Sequence, residues 1–403
     1  MKRILGVMIA VFLCTNVFAQ GIEFEHGTFA EALAKAKKEN KMVFMDCYTT
    51  WCGPCKMLAK KVFPQKEVGD YFNAHFVNVK MDMEKGEGIE LQKKYGVKAF
   101  PTLLFMDANG KVLHTKVGGA DAAGLIEEAK IAGDPSKQIG ALEKKYAEGN
   151  RDPKFVAQYI KALYSAYKQE EMLPVGKDFI ANCPKEKLAN VDAFTVIAYS
   201  EALEFGSEAY KYIIANKDKF IAAEGIGQEN YDGVIGAAVN KYVSGVATTG
   251  TIDELKSAIE AAKKDFTTPQ QKMMEDNWYS TYYLAHKEYE TWFNKQISSA
   301  KEALKTDKRM GSSILINTTY RVAMDPAFEG AGIYGKAITV VEDYMKEDSE
   351  LLPGFYCLAC LYKKENNKEK ALENINAFIS KNAEKGGKND QRVMALKEEI
   401  EKM

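Results

Sequence analysis

Near Gly133-Asp134-Pro135 the periodicity of the chain changes, and that change limits the architectures open to it. Before this point, short apolar runs alternate with amphipathic helical stretches. After it, residues 139 to 403 keep a helical period almost throughout, with no convincing strand. Alternating strands and helices bury a sheet between helical layers, whereas an unbroken helical period packs helix on helix. Two architectures in 403 residues agree with the ordinary size of roughly 100–200 residues per domain. The apolar fraction of 46% can fill cores of that size.

In the first part, Thr28 to Asn40 is an Ala/Lys/Glu-rich helix with Thr28 as its N-cap. Met42-Val43-Phe44-Met45, Phe76 to Val79 and Thr102 to Met106 read as strands. Lys56 to Val62 continues a helix that opens at a cysteine pair, and Met83 to Glu90, charged and Gly-rich, reads as a surface loop. Asp107-Ala108-Asn109-Gly110 is a turn whose Asn-Gly pair suits type I′, and Lys111 to Val117 returns as the paired strand. Asp121 to Ala132 closes the region as a helix, so the order predicts an α/β sandwich with a mixed central sheet flanked by helices over residues 20–134. Beyond it, breaks near Gly149 to Pro153, Cys183-Pro184, Gly225 to Gly227, Thr248 to Thr251, Thr267 to Pro269 and Pro353-Gly354 leave helical segments suited to pairing. The clearest pair is Phe355 to Lys364 and Lys368 to Lys381, joined at Glu365-Asn366-Asn367, with Ala371, Ile375 and Phe378 inward. It resembles a tetratricopeptide unit without the full repeat pattern, and residues 135–403 are read as an all-α helical-repeat domain.

Residues 1–19 read as a signal peptide: Lys2 and Arg3 form a basic start, and Ile4 to Cys14 is apolar but too short to span a bilayer. Val17-Phe18-Ala19 fits cleavage after Ala19, while Leu13 before Cys14 is too bulky for a good lipid-anchoring site. No other stretch is apolar enough to span a membrane, so stable membrane insertion is not expected. The net charge is −1. It becomes about −3 once Lys2 and Arg3 are lost, which offers no electrostatic footprint for nucleic acid. The expected compartment is the periplasm or the cell exterior, where disulfides persist.

The chemistry sits in Asp46-Cys47-Tyr48-Thr49-Thr50-Trp51-Cys52-Gly53-Pro54-Cys55-Lys56. A bare C-x-x-C is compatible with half of a zinc site, a redox pair or chance. The second C-x-x-C, Cys357 and Cys360, lies about 300 residues away. The four histidines, His26, His75, His114 and His286, show no ligand spacing around Cys52, so no metal is expected there. A cysteine following an apolar strand at the mouth of a helix is biased to its thiolate by unpaired N–H groups and the helix dipole. Three-residue spacing lets the sulfurs bond, and Pro54 suits the first helical turn. Cys52 is expected to be solvent-accessible and Cys55 buried, with Trp51 shielding the pair. Cys47 should face the opposite side of the strand as an inert thiol. Cys357 and Cys360 share a helix face and read as buried hydrophobes, with a second dithiol as the alternative.

Trp51-Cys52-Gly53-Pro54-Cys55-Lys56 resembles the thioredoxin active site letter for letter. Asp46 falls where thioredoxins keep a buried acid, Lys80 where they keep its lysine partner, and Tyr95 to Leu103 matches the segment bearing their cis-proline. The resemblance covers residues 23 to about 132. It implies a thioredoxin fold, Cys52 as nucleophile, Cys55 as resolving thiol, Asp46 as proton acceptor, and Pro101, cis after Phe100, beside the sulfurs. Trp51, Gly53, Pro54 and Phe100 would meet substrate, and no cofactor is implied. It further implies a protein-disulfide reductase, and together with the signal-peptide reading an exported one, whose expected partners in an oxidising compartment are disulfide-containing exported proteins and a membrane electron donor that recharges it. A disulfide oxidase or isomerase of the same fold remains open. So does an adaptor or chaperone whose helical part binds clients, with the redox domain as accessory.

Overall fold

The computed structural model describes residues 21–268, 271–388 and 391–403. The signal-peptide reading, with its cleavage after Ala19, lies outside the described residues. The chain divides into two units, Met1–Ala238 and Val239–Met403.

The first unit is organised by a five-stranded sheet in the order β1-β3-β2-β4-β5. Its elements are β1 (Phe24–Glu25), α1 (Phe29–Glu39), β2 (Met42–Tyr48), α2 (Gly53–Met57), α3 (Lys66–His75), β3 (Phe76–Asp82), α4 (Gly88–Tyr95), β4 (Thr102–Met106), β5 (Val112–Val117) and α5 (Ala122–Gly133). β1, β3 and β2 run parallel, and β4 and β5 are antiparallel additions, giving the mixed sheet expected. Alternation along β2 divides its side chains. Val43, Met45 and Cys47 pack with Phe29 of α1 and Leu91 of α4. Phe44 packs on the other face with Leu58, Phe72 of α3 and Leu125 of α5. Thr28 caps α1 as expected, in a reciprocal box with Glu31.

Three local expectations change. The helix bearing the cysteine pair turns π-helical over Leu58–Val62. The expected loop Met83 to Glu90 is cut short, because α4 begins at Gly88. A Cβ there would meet the Asp82 carbonyl oxygen at 2.0 Å, so glycine allows the chain to double back from β3. The hairpin turn is not type I′: only Gly110 is left-handed, at φ 80°. The Asp107 carboxylate organises it by accepting the N–H groups of Asn109 and Lys111.

Helices α6 (Ile139–Ala147), α7 (Pro153–Ser165), α8 (Gln169–Asn182), α9 (Val191–Ser200), α10 (Glu208–Ala215) and α11 (Lys217–Ala222) follow in the first unit. They are fastened to the sheet region by the Gln138 amide on the Ala132 carbonyl, 3.0 Å, and by Ser165 on Glu128, 3.4 Å. Helix α12 (Gly227–Thr249) leads to α13 (Ile252–Asp265), α14 (Gln271–Ala285), α15 (Tyr289–Thr306), α16 (Lys308–Met324), α17 (Tyr334–Glu347), α18 (Leu352–Lys364), α19 (Lys368–Glu384) and α20 (Gln391–Glu401). The core of the second unit joins Trp292, Phe328, Val341, Leu361 and Ile375. Ala371 and Ile375 are buried and Phe378 packs against them, as the α18–α19 pair predicts. The break expected near Pro353-Gly354 falls at residues 348–351, and Pro353 itself lies in the first turn of α18, where its missing N–H leaves no bond unmade. Among the described residues, no helix is long and apolar enough to cross a membrane.

Candidate active site

β2 ends at Tyr48, and four residues later α2 begins with Cys52 as its N-cap. Cys52 and Cys55 are joined by a disulfide, with Cα atoms 5.4 Å apart. The Cys52 sulfur also accepts the Cys55 N–H at 3.1 Å, so it meets the donors at the helix start that favour a thiolate. The expectation that Cys52 stands open to solvent fails: its exposure is 3%, against 2% for Cys55. Bonded to one neighbour and capped onto the helix, the sulfur folds inward over the first turn.

Behind the pair, the parallel register of β2 and β3 sets Asp46 opposite Lys80. The Lys80 ammonium donates to Asp46 Oδ2 at 2.9 Å. Asp46 is fully buried, and among the described residues its Oδ1 has no hydrogen-bond partner. Burial raises its proton affinity, and Lys80 opposes that effect without cancelling it. Lys80 is held in turn over the rings of Tyr48, at 4.6 Å, and Phe63, at 5.3 Å. Tyr48 was not singled out in the sequence, although an aromatic two residues beyond a buried strand acid shares its face. Cys47 lies on the other face, buried, with its thiol pushed well above the ordinary range by burial and by nearby Asp46.

The rim is built from three segments. The Phe100–Pro101 peptide is cis, as expected, and Pro101 is buried. Its carbonyl accepts the Gly118 N–H at 2.9 Å, tying it to the end of β5. Trp51 is 64% exposed. Its indole donates to Glu84 at 2.9 Å and meets the Phe100 ring edge-on at 6.0 Å. Glu84 belongs to the charged stretch expected as a surface loop close to the site, although its contact with Trp51 was not singled out. Gly53 and Pro54 are exposed beside the pair.

The remaining described cysteines do not join this site. Cys357 and Cys360 are buried in the second unit, and burial pushes both thiols up to about 12. Cys357 donates to Thr319 at 3.3 Å. These values match buried small hydrophobes rather than a reactive dithiol. Cys183 is half-buried.

A bonded cysteine pair at the start of the helix that follows β2 of a mixed sheet, in a domain that also carries a cis-proline just before β4, defines the class: a thiol–disulfide oxidoreductase of thioredoxin fold. The thioredoxin-like domain family model matches residues 29–130. A thioredoxin-like protein of Synechocystis is 33% identical over 110 residues, covering 27% of this chain and 96% of that protein. The chain belongs to the thioredoxin-like family through this domain. The thiol:disulfide interchange protein DsbD of Pseudoalteromonas atlantica is 29% identical over 105 residues, 26% of this chain, and the chain spans only 17% of that protein's length. A solution structure from Bacteroides thetaiotaomicron is 56% identical and covers 28% of this chain and 95% of that one, with a TM-score of 0.27.

Proposed function

We propose that the protein is an exported protein-disulfide reductase. The Cys52 thiolate attacks one sulfur of a client disulfide, the other sulfur leaves as a thiolate, and a mixed disulfide forms. Cys55 then gives its proton to Asp46, relayed by water, and attacks the Cys52 sulfur. The client departs with both sulfurs reduced, and the Cys52–Cys55 disulfide carries the two oxidising equivalents. A proton affinity raised by burial suits Asp46 to accept the Cys55 proton and to release it again. Pro101 sits beside the sulfurs, the Phe100 backbone pairs with the client strand, and Trp51, Gly53 and Pro54 form its exposed margin. Two-electron turnover in an oxidising compartment requires recharging, which assigns a membrane electron donor as the second partner.

The observation that carries this reading is the Cys52–Cys55 bond at the start of α2. The test is Cys55→Ser, which leaves attack intact and removes resolution. Reduced Cys55→Ser protein is expected to hold insulin chains in a mixed disulfide that Cys52→Ala abolishes. Absence of the adduct, or insulin reduction by Cys52→Ala at the parental rate, would place the activity elsewhere. Equilibration with glutathione fixes direction. A potential below about −230 mV fits a reductant, whereas about −120 to −180 mV fits an oxidase or isomerase.

A further inference from the structure

In the first unit, a cleft of about 580 Å³ opens where β5 and α5 meet α7 and α9, and none of the redox-site residues lines it. Its size is that of a specific binding site rather than a packing defect. The floor holds His114, whose ring nitrogen lies 2.5 Å from Glu128 Oε2. The other Glu128 oxygen takes Ser165 at 3.4 Å and Lys116 at 3.8 Å. The acid on the floor thus finds its partners within the fold.

The walls are different. Lys154 and Lys161, seven residues apart on one face of α7, line the cleft, and neither has an ion-pair partner among the described residues. Of the acids at the rim, Glu127 is near Lys130 at 4.0 Å, and Asp192 lies in the first turn of α9, where the helix dipole offsets its charge. Tyr164 and Tyr199 also line the cleft, 51% and 41% exposed, their rings edge to face at 5.1 Å. Uncompensated ammonium groups beside an exposed aromatic pair match a ligand with carboxylates and a ring.

The position supplies the occupant. Lys116 faces Leu103 in the hairpin register, two residues past Pro101, and Gly118 binds the Pro101 carbonyl. At about 3.3 Å per strand residue, Lys116 stands about 7 Å along the strand from Gly118. A polypeptide engaged at the cis-proline edge therefore has flanking residues within reach of the cleft. We propose that the cleft binds an acidic, aromatic-bearing segment of the client protein, an inference that rests on the disulfide-reductase reading.

The test uses the full chain with Cys52→Ser and Cys55→Ser, so binding is read without turnover. The probes are fluorescein-labelled Asp-Glu-Tyr-Asp-Phe-Glu and its counterpart Lys-Lys-Tyr-Lys-Phe-Lys, followed by anisotropy. The acidic peptide is expected to bind saturably and to weaken with added salt, and the basic one is not expected to bind. Lys154→Glu with Lys161→Glu should weaken the acidic peptide by at least about tenfold, and Tyr164→Ala should do likewise. All three side chains are exposed, so loss of binding with an unchanged circular dichroism spectrum isolates recognition from folding. Equal binding of both peptides, no saturable binding, or variants that bind like the parent would overturn the proposal. Loss of the reductase reading would instead be seen in the mixed-disulfide trap, which this assay does not use.

Discussion

Asp46 shows how a single buried group sets both chemistry and stability. Its carboxyl ionises above the ordinary value of 3.8, because burial outweighs the Lys80 contact. The folded chain therefore keeps this proton at pH values where the unfolded chain has lost it. Stability falls as pH rises from the ordinary aspartate range through the raised value, at up to about 1.4 kcal/mol per pH unit, and above it the cost is constant. Asp46→Asn is expected to be the more stable protein at about pH 8 and to converge with the parent below about pH 4 in urea melts. A variant losing stability relative to the parent as pH rises would show that Lys80 dominates. The same substitution should slow release of the mixed disulfide more than its formation, since Cys55 must lose a proton before attack while Cys52 already meets the helix start. Equal slowing of both steps in stopped flow would count against a proton-accepting role. Asp46 and Lys80 are legible in the sequence through the thioredoxin resemblance, which places a buried acid and its lysine partner at these positions, and the β2–β3 register then pairs them. The burial of Cys52 is not, because it depends on where the bonded sulfur turns once the helix is capped.

At the scale of elements, the strands are the most legible part. Apolar runs such as Met42 to Met45 and Thr102 to Met106 have few ways to satisfy both burial and backbone hydrogen bonding. Helix α4 escapes because its first residues are charged and Gly-rich, the composition of a solvated loop, and only the close approach to Asp82 explains the glycine. Gly88→Ala is therefore expected to cost about 1–3 kcal/mol, the range for a forced backbone shift in a packed site. It should also displace the Asp82–Glu87 turn and with it Glu84, the hydrogen-bond partner of Trp51. Chemical denaturation reads the first effect and Trp51 fluorescence the second. A variant that matches the parent in both would show that the turn relaxes without strain. The paired helices α18 and α19 are legible from their polar turn, where Asn366 takes a left-handed conformation at φ 57°.

At the scale of the molecule, the sheet region shares its unit with the helices up to Ala238. A fragment of residues 21–238 is expected to fold and to reduce a small disulfide at the rate of the full chain. A fragment of residues 21–134 should melt at a lower temperature, because it loses the Ser165 and Gln138 bonds and the α7 cover beside His114. Equal melting temperatures in circular dichroism would mean that those helices add no stability to the sheet. The way sulfur is distributed over the fold also governs how the protein can be assayed. Cys47 sits behind the sheet, Cys357 and Cys360 lie in the second unit's core, and burial keeps all three protonated at neutral pH. Among the described cysteines, the helix-start donors on the Cys52 sulfur, which favour its thiolate, single it out for alkylation once the pair is reduced, against a background set by half-buried Cys183. Mass added by iodoacetamide becomes a gauge of the reduced fraction, readable in a whole-cell extract without unfolding the chain.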